Sequence, residues 1–294
     1  MVKTKPNELP EFIRPFAFHR VNVESKSQGD ILTECPFCGE TKFFLSQDKG
    51  LYDCKKCKVK GNVYTFIRTL VEQAVDSGAD ISLVAEERGT SVEALDAWKL
   101  CRSIIDGEWM LPGFSWHKTK PVNMTNLYRW SKMGDKRRLL TTPTLKHTLF
   151  GVHLWDNNKP TAHICEGPWD AIAWWDTLRK IKRLDNGEYH RTVDMKKSLL
   201  AEINVVAVPG CDTFKDEWAP MFAGKDVVFF YDSDHPKENK QTGAIIPPCG
   251  YNGLLSAAAK LSGIASSISM YYWGEGGFDS ARPSGFDLRD LLKS

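Results

Sequence analysis

The sequence has no long apolar run, and this absence excludes a membrane-spanning helix. A helix that crosses a bilayer needs about 18 or more consecutive apolar residues, and the 294-residue chain contains no such stretch. The opening segment, Met1–Pro6, also lacks the apolar core of a signal peptide. From these two absences we expect a cytoplasmic protein with no membrane partner.

A strong net charge is also missing. The formal net charge is only +2, so the overall charge does not favour nucleic acid as a partner. Basic residues nevertheless form two local clusters, which are Lys55, Lys56, Lys58 and Lys60, and Arg129, Lys132, Lys136, Arg137 and Arg138. Such patches are typical of phosphate-binding surfaces, although ordinary solvated side chains explain either cluster alone equally well.

Four of the eight cysteines form two close pairs. Cys35 and Cys38 are separated by two residues, as are Cys54 and Cys57, and fifteen residues lie between the pairs. In a cytosolic protein such pairs indicate metal rather than disulfide bonds. A two-residue gap lets both sulfurs face one ion, and Zn²⁺ takes four thiolates in a tetrahedron. We predict one structural zinc ion here. The other four cysteines are scattered, at Cys101, Cys165, Cys211 and Cys249.

The segment between the pairs predicts a β-hairpin. Phe43–Leu45 and Leu51–Tyr52 are apolar and flank a polar turn at Gln47–Gly50. A hairpin with both ends at a metal is a zinc ribbon, and about thirty residues need the ion because they bury too little core alone. The aromatic side chains of Phe43, Phe44 and Tyr52 are candidates to stack on unpaired bases.

Two acidic clusters each follow a short apolar run. The cluster with Glu166 starts at Cys165, just after Thr161–Ile164, and the cluster with Asp232 and Asp234 starts at Tyr231, just after Val227–Phe230. Such runs predict buried strands, and ligands of open α/β sheets bind at the carboxyl ends of the strands. Three carboxylates at one sheet edge repel one another unless cations join them. Hard oxygen ligands suit Mg²⁺ or Mn²⁺, which serve phosphate chemistry.

The chain divides into three predicted parts. Residues 1–64 hold the N-terminal segment and zinc ribbon, residues 65–158 form a helical and β-rich linking subdomain, and residues 159–294 alternate strands and helices. The alternation indicates βαβ units and a mainly parallel sheet. The predicted fold class is therefore α/β, or α+β for the chain as a whole.

Taken in order, these motifs resemble the Toprim-type (DnaG-like) DNA primases of bacteria and their phages. Cys35–Gly39 and Cys54–Cys57, followed by Gly61–Ile67, look like that family's zinc ribbon and the helix after it. Glu166–Ala171 resembles the Toprim motif Glu-Gly-x-x-Asp-Ala, and Asp232–Asp234 resembles its Asp-x-Asp motif. The C-terminal part is thus expected to be a Toprim domain.

Two further segments extend the resemblance, and some features depart from it. Phe286–Leu292 looks like the family's closing Asp-Leu-Asn-Asp-Leu-Leu element, and Arg137–Pro143 resembles its basic segment before Toprim. Here all four zinc ligands are cysteines, as in phage members, whereas many bacterial members use a histidine. His235-Pro236 replaces the usual small pair after Asp-x-Asp, and an insertion follows. No Gly-x-x-x-x-Gly-Lys-Ser/Thr loop occurs, so no helicase motor is expected.

The resemblance implies a phage-like DNA primase that makes short RNA primers on single-stranded DNA from ribonucleoside triphosphates. Its partners would include a separate replicative helicase, and its location would be the host cytoplasm if it is phage-encoded. Two Mg²⁺ or Mn²⁺ ions would drive nucleotidyl transfer, held by Glu166, Asp232 and Asp234. Asp170 and Asp287 would play a supporting or second-metal role. Nucleotide and template phosphates would be bound by Arg129, Arg137, Arg138 and Lys146.

Two other functions compete with this interpretation. A Toprim-type nuclease or topoisomerase-like enzyme would share the acidic residues, but a nuclease needs no ribbon and a topoisomerase needs a nucleophilic tyrosine on a further domain. A non-catalytic, zinc-containing DNA-binding protein with a degenerate Toprim fold would not need the acidic residues. The intact Glu166, Asp232 and Asp234 argue against that last alternative.

Overall fold

A computed structural model describes residues 9–23, 29–118, 122–133 and 136–293. Contacts between residues divide the chain into two compact units. The first comprises the described residues of Met1–Asp80, Lys99–Gly113 and Met124–His147, and the second those of Ile81–Trp98, Phe114–Asn123 and Thr148–Ser294.

The first unit starts with a short helix, α1 (Arg14–Phe18), and a four-stranded antiparallel sheet. The strands pair in chain order and are β1 (Asp30–Thr33), β2 (Phe43–Ser46), β3 (Tyr52–Cys54) and β4 (Lys60–Gly61). Strands β2 and β3 form the predicted hairpin, with Phe43 opposite Cys54. The chain reverses between them because a polar turn separates the two apolar segments.

Helix α2 (Val63–Asp76) follows the ribbon and packs against it. Its first turn is capped by Asn62, whose side-chain oxygen accepts hydrogen bonds from the backbone N–H groups of Tyr64 (3.0 Å) and Thr65 (3.2 Å). On the buried face of α2, the Phe66 ring lies 4.8 Å from Phe16 and 5.8 Å from Tyr52, measured between centroids. These aromatic contacts give the small ribbon an apolar core in addition to its metal ligands.

A second sheet belongs largely to the same unit. Its strands, in sheet order, are β5 (Cys101–Arg102), β6 (Trp109–Ser115), β7 (Asn123–Met133) and β8 (Lys136–Thr141). The β5–β6 and β7–β8 pairs are antiparallel. This sheet supplies the β-rich middle part that the sequence predicts.

The second unit alternates strands and helices after two short helices. Its elements in chain order are α3 (Ser82–Arg88), α4 (Val92–Ala97), β9 (Thr161–Cys165), α5 (Pro168–Lys180), β10 (Ile181–Arg183), β11 (Tyr189–Arg191), β12 (Ile203–Ala207), β13 (Asp226–Phe230), β14 (Lys237–Glu238), β15 (Ile245–Ile246), α6 (Cys249–Leu261), β16 (Ser267–Met270) and α7 (Leu288–Lys293).

A four-stranded parallel sheet, in the order β12-β9-β13-β16, organises this unit. Its strands contribute Ile164, Val206 and Phe229 to a buried apolar cluster, and α6 adds Leu254 and Ala257. Strands that are apolar on both faces are typical of parallel sheets covered by helices. The predicted fold class, with an N-terminal ribbon, a β-rich middle segment and a C-terminal parallel sheet, is therefore confirmed.

Three details go beyond the sequence-based expectations. The segment Asp216–Phe222 is a 3₁₀ helix, and it contains Pro220, which cannot donate a backbone hydrogen bond. A short hairpin, β10–β11, follows α5 directly. A disulfide joins Cys211 to Cys249, two residues that are 38 positions apart. None of the described helices is long and apolar enough to cross a bilayer.

Candidate active site and zinc site

The sulfur atoms of the two cysteine pairs converge at one point. Among the described residues, Cys35, Cys38, Cys54 and Cys57 are the one group of potential metal ligands whose ligand atoms all lie within 4.8 Å of one another. The Sγ atoms of Cys35 and Cys57 are 3.8 Å apart, as are those of Cys38 and Cys54. A tetrahedral Zn²⁺ with bonds of about 2.3 Å sets its sulfurs about 3.8 Å apart. The four residues therefore fit one zinc ion.

The two cysteine pairs have the same local backbone. The carbonyl of Cys35 accepts a hydrogen bond from the N–H of Gly39, and the carbonyl of Cys54 accepts one from Lys58. Gly39 (φ 74°) and Lys58 (φ 66°) both occupy the left-handed region. A lysine there costs roughly 1 kcal/mol relative to glycine. The second pair therefore keeps the same metal-binding turn, although Lys58 has a side chain where the first pair has a glycine.

One face of the ribbon sheet is exposed and the other is buried. Phe43 and Tyr52 are buried, so they are not available to stack on bases, and that expectation is wrong for these two residues. Phe44, which points to the opposite face because side chains alternate along a strand, is partly exposed. It lines a groove of about 750 Å³ together with Leu51, Lys49, Lys55 and Lys60.

The two central parallel strands bring Glu166 and Asp232 together. Strands β9 and β13 are neighbours, with Cys165 opposite Phe230, so the residues just beyond them meet at the carboxyl edge of the sheet. The N–H of Glu166 donates to the carbonyl of Phe230 (3.1 Å), and the N–H of Asp232 donates to Glu166 Oε2 (3.1 Å). The position expected from the sequence for these two residues is observed.

The first turn of α6 lies directly against these carboxylates. The N–H of Gly250 donates to Asp234 Oδ2 at 3.2 Å. A Cβ on Gly250 would lie 2.5 Å from the carbonyl oxygen of Asp232 and 2.9 Å from Glu166 Oε2. Because that carbonyl belongs to the backbone, a side chain at Gly250 would push α6 away from the carboxylates.

Burial and repulsion between carboxylates raise the pKa of two members of this group, Glu166 and Asp232. Burial, followed by neighbouring carboxylates, raises the pKa of Glu166 to about 7 and that of Asp232 to about 10. No described residue donates a hydrogen bond to the Asp232 carboxylate. An ionised cluster of this kind needs a cation, and its all-oxygen donor set is the one that Mg²⁺ and Mn²⁺ prefer. Glu166, Asp232 and Asp234 are therefore candidate ligands by their chemistry, but the structure does not bring their oxygens together as it does the four cysteine sulfurs, which are the one such group among the described residues.

Asp170 and Asp287 have a different environment, because an arginine lies between them. Arg289 Nε donates to Asp170 Oδ1 at 2.9 Å, and its Nη2 donates to Asp287 Oδ2. Burial, followed by the charge of Asp287, raises the pKa of Asp170 to about 6, although Arg289 opposes the shift. Asp287 also caps α7, since its Oδ1 accepts from the N–H of Asp290 (3.0 Å). These two carboxylates already have a positive partner.

The predicted phosphate-binding residues fall into two groups. Arg129 is buried, forms an ion pair with Asp106 and lies 5.7 Å from the ring centre of Phe18. A guanidinium committed to that pair cannot reach a phosphate, so we remove Arg129 from the phosphate-binding set.

The other basic residues are exposed. Arg137 and Arg138 on β8 lie opposite Lys132 and Ser131 on β7, and Lys146 follows in the next segment. Arg137 stacks on Trp130, with 4.6 Å between the guanidinium carbon and the ring centre. Neither Arg137 nor Arg138 forms an ion pair with another residue in the described ranges. Their charges are therefore available to an anionic ligand.

Three residues near the carboxylates were not assigned a role from the sequence. They are Gly250, Arg289 and Asp212, whose charge contributes to the raised pKa of Glu166. Asp212 follows β12 closely, so the same strand-end rule that identified Glu166 would have found it. Arg289 and Gly250 come from distant segments, and their approach depends on packing that no local pattern reveals.

Comparison with known proteins supports the ribbon directly. The sequence pattern of the CHC2 zinc finger of DnaG matches residues 13–96, which is less than a third of the chain. No curated protein sequence matches significantly.

Similar solved structures cover most of the chain. A structure of the DnaG catalytic core covers 78% of this chain and 74% of its own, at 15% identity and a TM-score of 0.50. The Aquifex aeolicus primase, with its zinc-binding and RNA polymerase domains, covers 98% and 81%, at 15% identity and a TM-score of 0.46. The primase fragment of the bacteriophage T7 primase-helicase covers 88% and 92%, at 15% identity and 0.43. The resemblance found in the motifs is thus confirmed in that residues 13–96 match the CHC2 zinc finger of DnaG and most of the chain has the fold of a DnaG catalytic core.

Proposed function

We propose that this protein is a DNA primase, a DNA-directed RNA polymerase that makes short RNA primers on single-stranded DNA during phage DNA replication. The observation that carries the proposal is the position of Glu166, Asp232 and Asp234 at the carboxyl ends of two neighbouring parallel strands, where no described basic residue forms an ion pair with them. It occurs in the same chain as a DnaG-type zinc ribbon. Ribonucleoside triphosphates are the proposed substrates, and a separate helicase the proposed partner in the host cytoplasm.

Each part of the chain has a proposed role. Glu166, Asp232 and Asp234 would hold a divalent ion, which would offset the charge that develops on the transferred phosphate. Asp170 and Asp287 fix the position of this cluster through Arg289. Arg137, Arg138 and Lys146 bind nucleotide and template phosphates, since arginine forks suit phosphate oxygens. We retain the boundaries 1–64, 65–158 and 159–294 as the proposed limits of ribbon, linking subdomain and Toprim subdomain.

The ribbon is the proposed template reader. Phe44 and Leu51 present apolar surface in a groove whose basic side chains are Lys49, Lys55 and Lys60. An aromatic ring among lysines is the combination that binds unpaired bases together with their phosphates. Of the aromatic residues in the ribbon sheet, Phe44 is the one that we assign to base stacking.

Primer synthesis by purified protein tests the proposal. Incubation with single-stranded DNA, the four ribonucleotides and Mg²⁺ or Mn²⁺ is expected to yield short RNA products on a sequencing gel. Glu166→Gln and Asp232→Asn should each reduce the yield more than about 100-fold, because each removes a carboxylate from the metal cluster. Asp226→Asn changes an exposed aspartate at the other end of β13 and should retain activity.

The same assay separates the alternatives. Shortened template without RNA product would indicate a nuclease, and template binding without either product would indicate a non-catalytic DNA-binding protein. RNA synthesis by Asp232→Asn at the wild-type level would contradict the proposed site.

A further inference from the structure

A cavity of about 780 Å³ lies in the second unit, away from Glu166 and Asp232. We call it the amino-edge cavity, because Thr161 and Ile203, which line it, are the first residues of the parallel strands β9 and β12. Glu166, by contrast, follows the last residue of β9. Pockets that hold small molecules enclose about 300–1,000 Å³, so the amino-edge cavity has the volume for a ligand of its own.

Apolar side chains form much of the wall of this cavity. Helix α5 contributes Trp174 and Leu178, strand β10 contributes Ile181, and Leu199 comes from the 3₁₀ turn before β12. Tyr189 on β11, which also lines the cavity, is 60% exposed and packs against no other ring of the described residues. An exposed ring beside apolar walls is suited to stack on a planar group of a ligand.

The wall also contains a buried hydrogen-bond donor without an acceptor. His163 is 8% exposed, and its Nδ1 accepts a hydrogen bond of 2.7 Å from the indole N–H of Trp174. Because an indole N–H can only donate, the proton of the neutral imidazole is on Nε2. That N–H forms no hydrogen bond with any residue that the structure describes. The buried hydroxyl of Ser198 in the same wall, in contrast, donates to the carbonyl of Met195 (2.8 Å). A buried donor is unfavourable without an acceptor, so His163 favours a ligand that brings one.

The rim of the cavity carries charges of both signs. Arg183 and Asp185 at the end of β10, and Lys197 and Glu202 before β12, are all exposed. Lys197 lies 3.7 Å from the carboxylate of Asp194, whereas Arg183, Asp185 and Glu202 form no ion pair within the described ranges. A free guanidinium suits a phosphate group, and a free carboxylate accepts hydrogen bonds from ribose hydroxyls, as it does in dinucleotide-binding folds.

We propose that the amino-edge cavity binds a ribonucleoside monophosphate, at a site separate from the candidate active site. An acceptor on the edge of the base meets the Nε2–H of His163, and the face of the base lies against Tyr189. The ribose hydroxyls face Asp185 or Glu202, and the phosphate pairs with Arg183. A purely apolar ligand would leave the donor of His163 without a partner. The proposal goes beyond primer synthesis, since this site uses neither the acidic residues at the opposite edge of the sheet nor the zinc ribbon.

Isothermal titration calorimetry of the full-length, zinc-loaded protein tests the proposal. AMP, GMP, CMP and UMP are titrated one at a time, in a buffer without Mg²⁺ or Mn²⁺. We expect at least one of them to bind at one site per chain with a Kd below about 1 mM. Arg183→Gln removes the phosphate partner and should weaken binding about tenfold or more. His163→Phe keeps a flat ring but lacks the donor, and should have an effect of about the same size.

Arg191→Gln is the matched control. Arg191 is an exposed arginine on the same hairpin that does not line the cavity, so this variant should bind like wild type. No binding of any of the four nucleotides, or binding that Arg183→Gln leaves unchanged, would overturn the proposal. Equal weakening by Arg191→Gln would also overturn it, because it would indicate general attraction to the positive hairpin. If His163→Phe does not fold, Arg183→Gln decides. Primer synthesis is assayed separately, so its absence would reject the proposed function alone.

Discussion

At the scale of single residues, burial without a charged partner determines the protonation of His163. Its Nδ1 accepts a hydrogen bond of 2.7 Å from the indole N–H of Trp174, and its ring packs against Phe230. Burial lowers the pKa of His163 to about 4 from its ordinary 6.5. As the pH falls, the unfolded chain binds a proton at His163 before the folded protein does. The stability contributed by neutral His163 is therefore fully present above pH 6.5. It is lost as the pH falls to about 4.

His163→Gln removes this titration and is expected to flatten the acid limb of the stability curve. At about 1.4 kcal/mol per pKa unit, the wild-type loss from this residue between pH 6.5 and 4 amounts to at most about 3 kcal/mol. Urea denaturation at a series of pH values measures the difference between the two proteins. His190→Gln, at an exposed histidine of the same unit, should parallel wild type. A difference between wild type and His163→Gln that does not change with pH would contradict the assignment.

The residue scale also shows where sequence reasoning works and where it does not. The positions of Glu166 and Asp232 could be predicted because strand ends follow from short apolar runs, and neighbouring parallel strands end at one edge. The burial of Arg129 could not be predicted, because its partner Asp106 lies 23 residues away on another segment. Phe43 and Phe44 are adjacent, and no local signal shows which one faces the core.

At the scale of elements, the start of α6 is fixed by a covalent link. The disulfide between Cys211 and Cys249 connects the segment after β12 to the first residue of this helix, with 6.1 Å between the Cα atoms. The next residue, Gly250, donates a hydrogen bond to Asp234. The link therefore restrains the helix turn that lies against the candidate active site. It is unexpected in a protein predicted to be cytoplasmic, where thiols are kept reduced.

Cys249→Ser is expected to destabilise the oxidised protein. Closing a loop between residues 38 positions apart restricts the unfolded chain by about 4 kcal/mol in the entropic estimate, so the free energy of unfolding should fall by up to that amount. With excess dithiothreitol, wild type and Cys249→Ser should converge. Cys101→Ser, which alters a buried free thiol, should cost the same with and without reductant. If reductant leaves wild type unchanged, the disulfide does not contribute as described.

Local features of the chain were easier to predict than the contacts that join distant elements. Serine is a common N-cap residue, and the Ser91 hydroxyl accepts a hydrogen bond from the N–H of Ala94 (3.2 Å) at the start of α4. The same hydroxyl donates to Asp176 on α5 at 2.6 Å, a contact over 85 residues that no spacing rule contains. Cysteine spacing likewise identified the zinc ligands, because they lie close together in sequence. It did not identify the disulfide, because Cys211 and Cys249 are 38 positions apart.

At the scale of the whole molecule, the two units have separate sources of stability. The first unit combines the zinc ligands with an aromatic core around Phe16, Tyr52 and Phe66. The second has its own apolar cluster around the parallel sheet and the disulfide. Structural zinc contributes directly to folding, because the ligand geometry does not exist in the unfolded chain. Loss of zinc should therefore act on the first unit.

Cys54→Ser is expected to reduce the zinc content from about one per chain to near zero and to open the ribbon. Hydrogen exchange followed by mass spectrometry should show lost protection in β1–β4, because the sheet is organised around the metal. The strands β9 and β13 should exchange at the wild-type rate, since their cluster contains no zinc ligand. Cys249→Ser is the converse control, with faster exchange confined to the second unit. If zinc removal reduced protection equally in the ribbon and in β9 and β13, the metal would stabilise both units. That result would contradict the conclusion that each unit is stabilised by its own core.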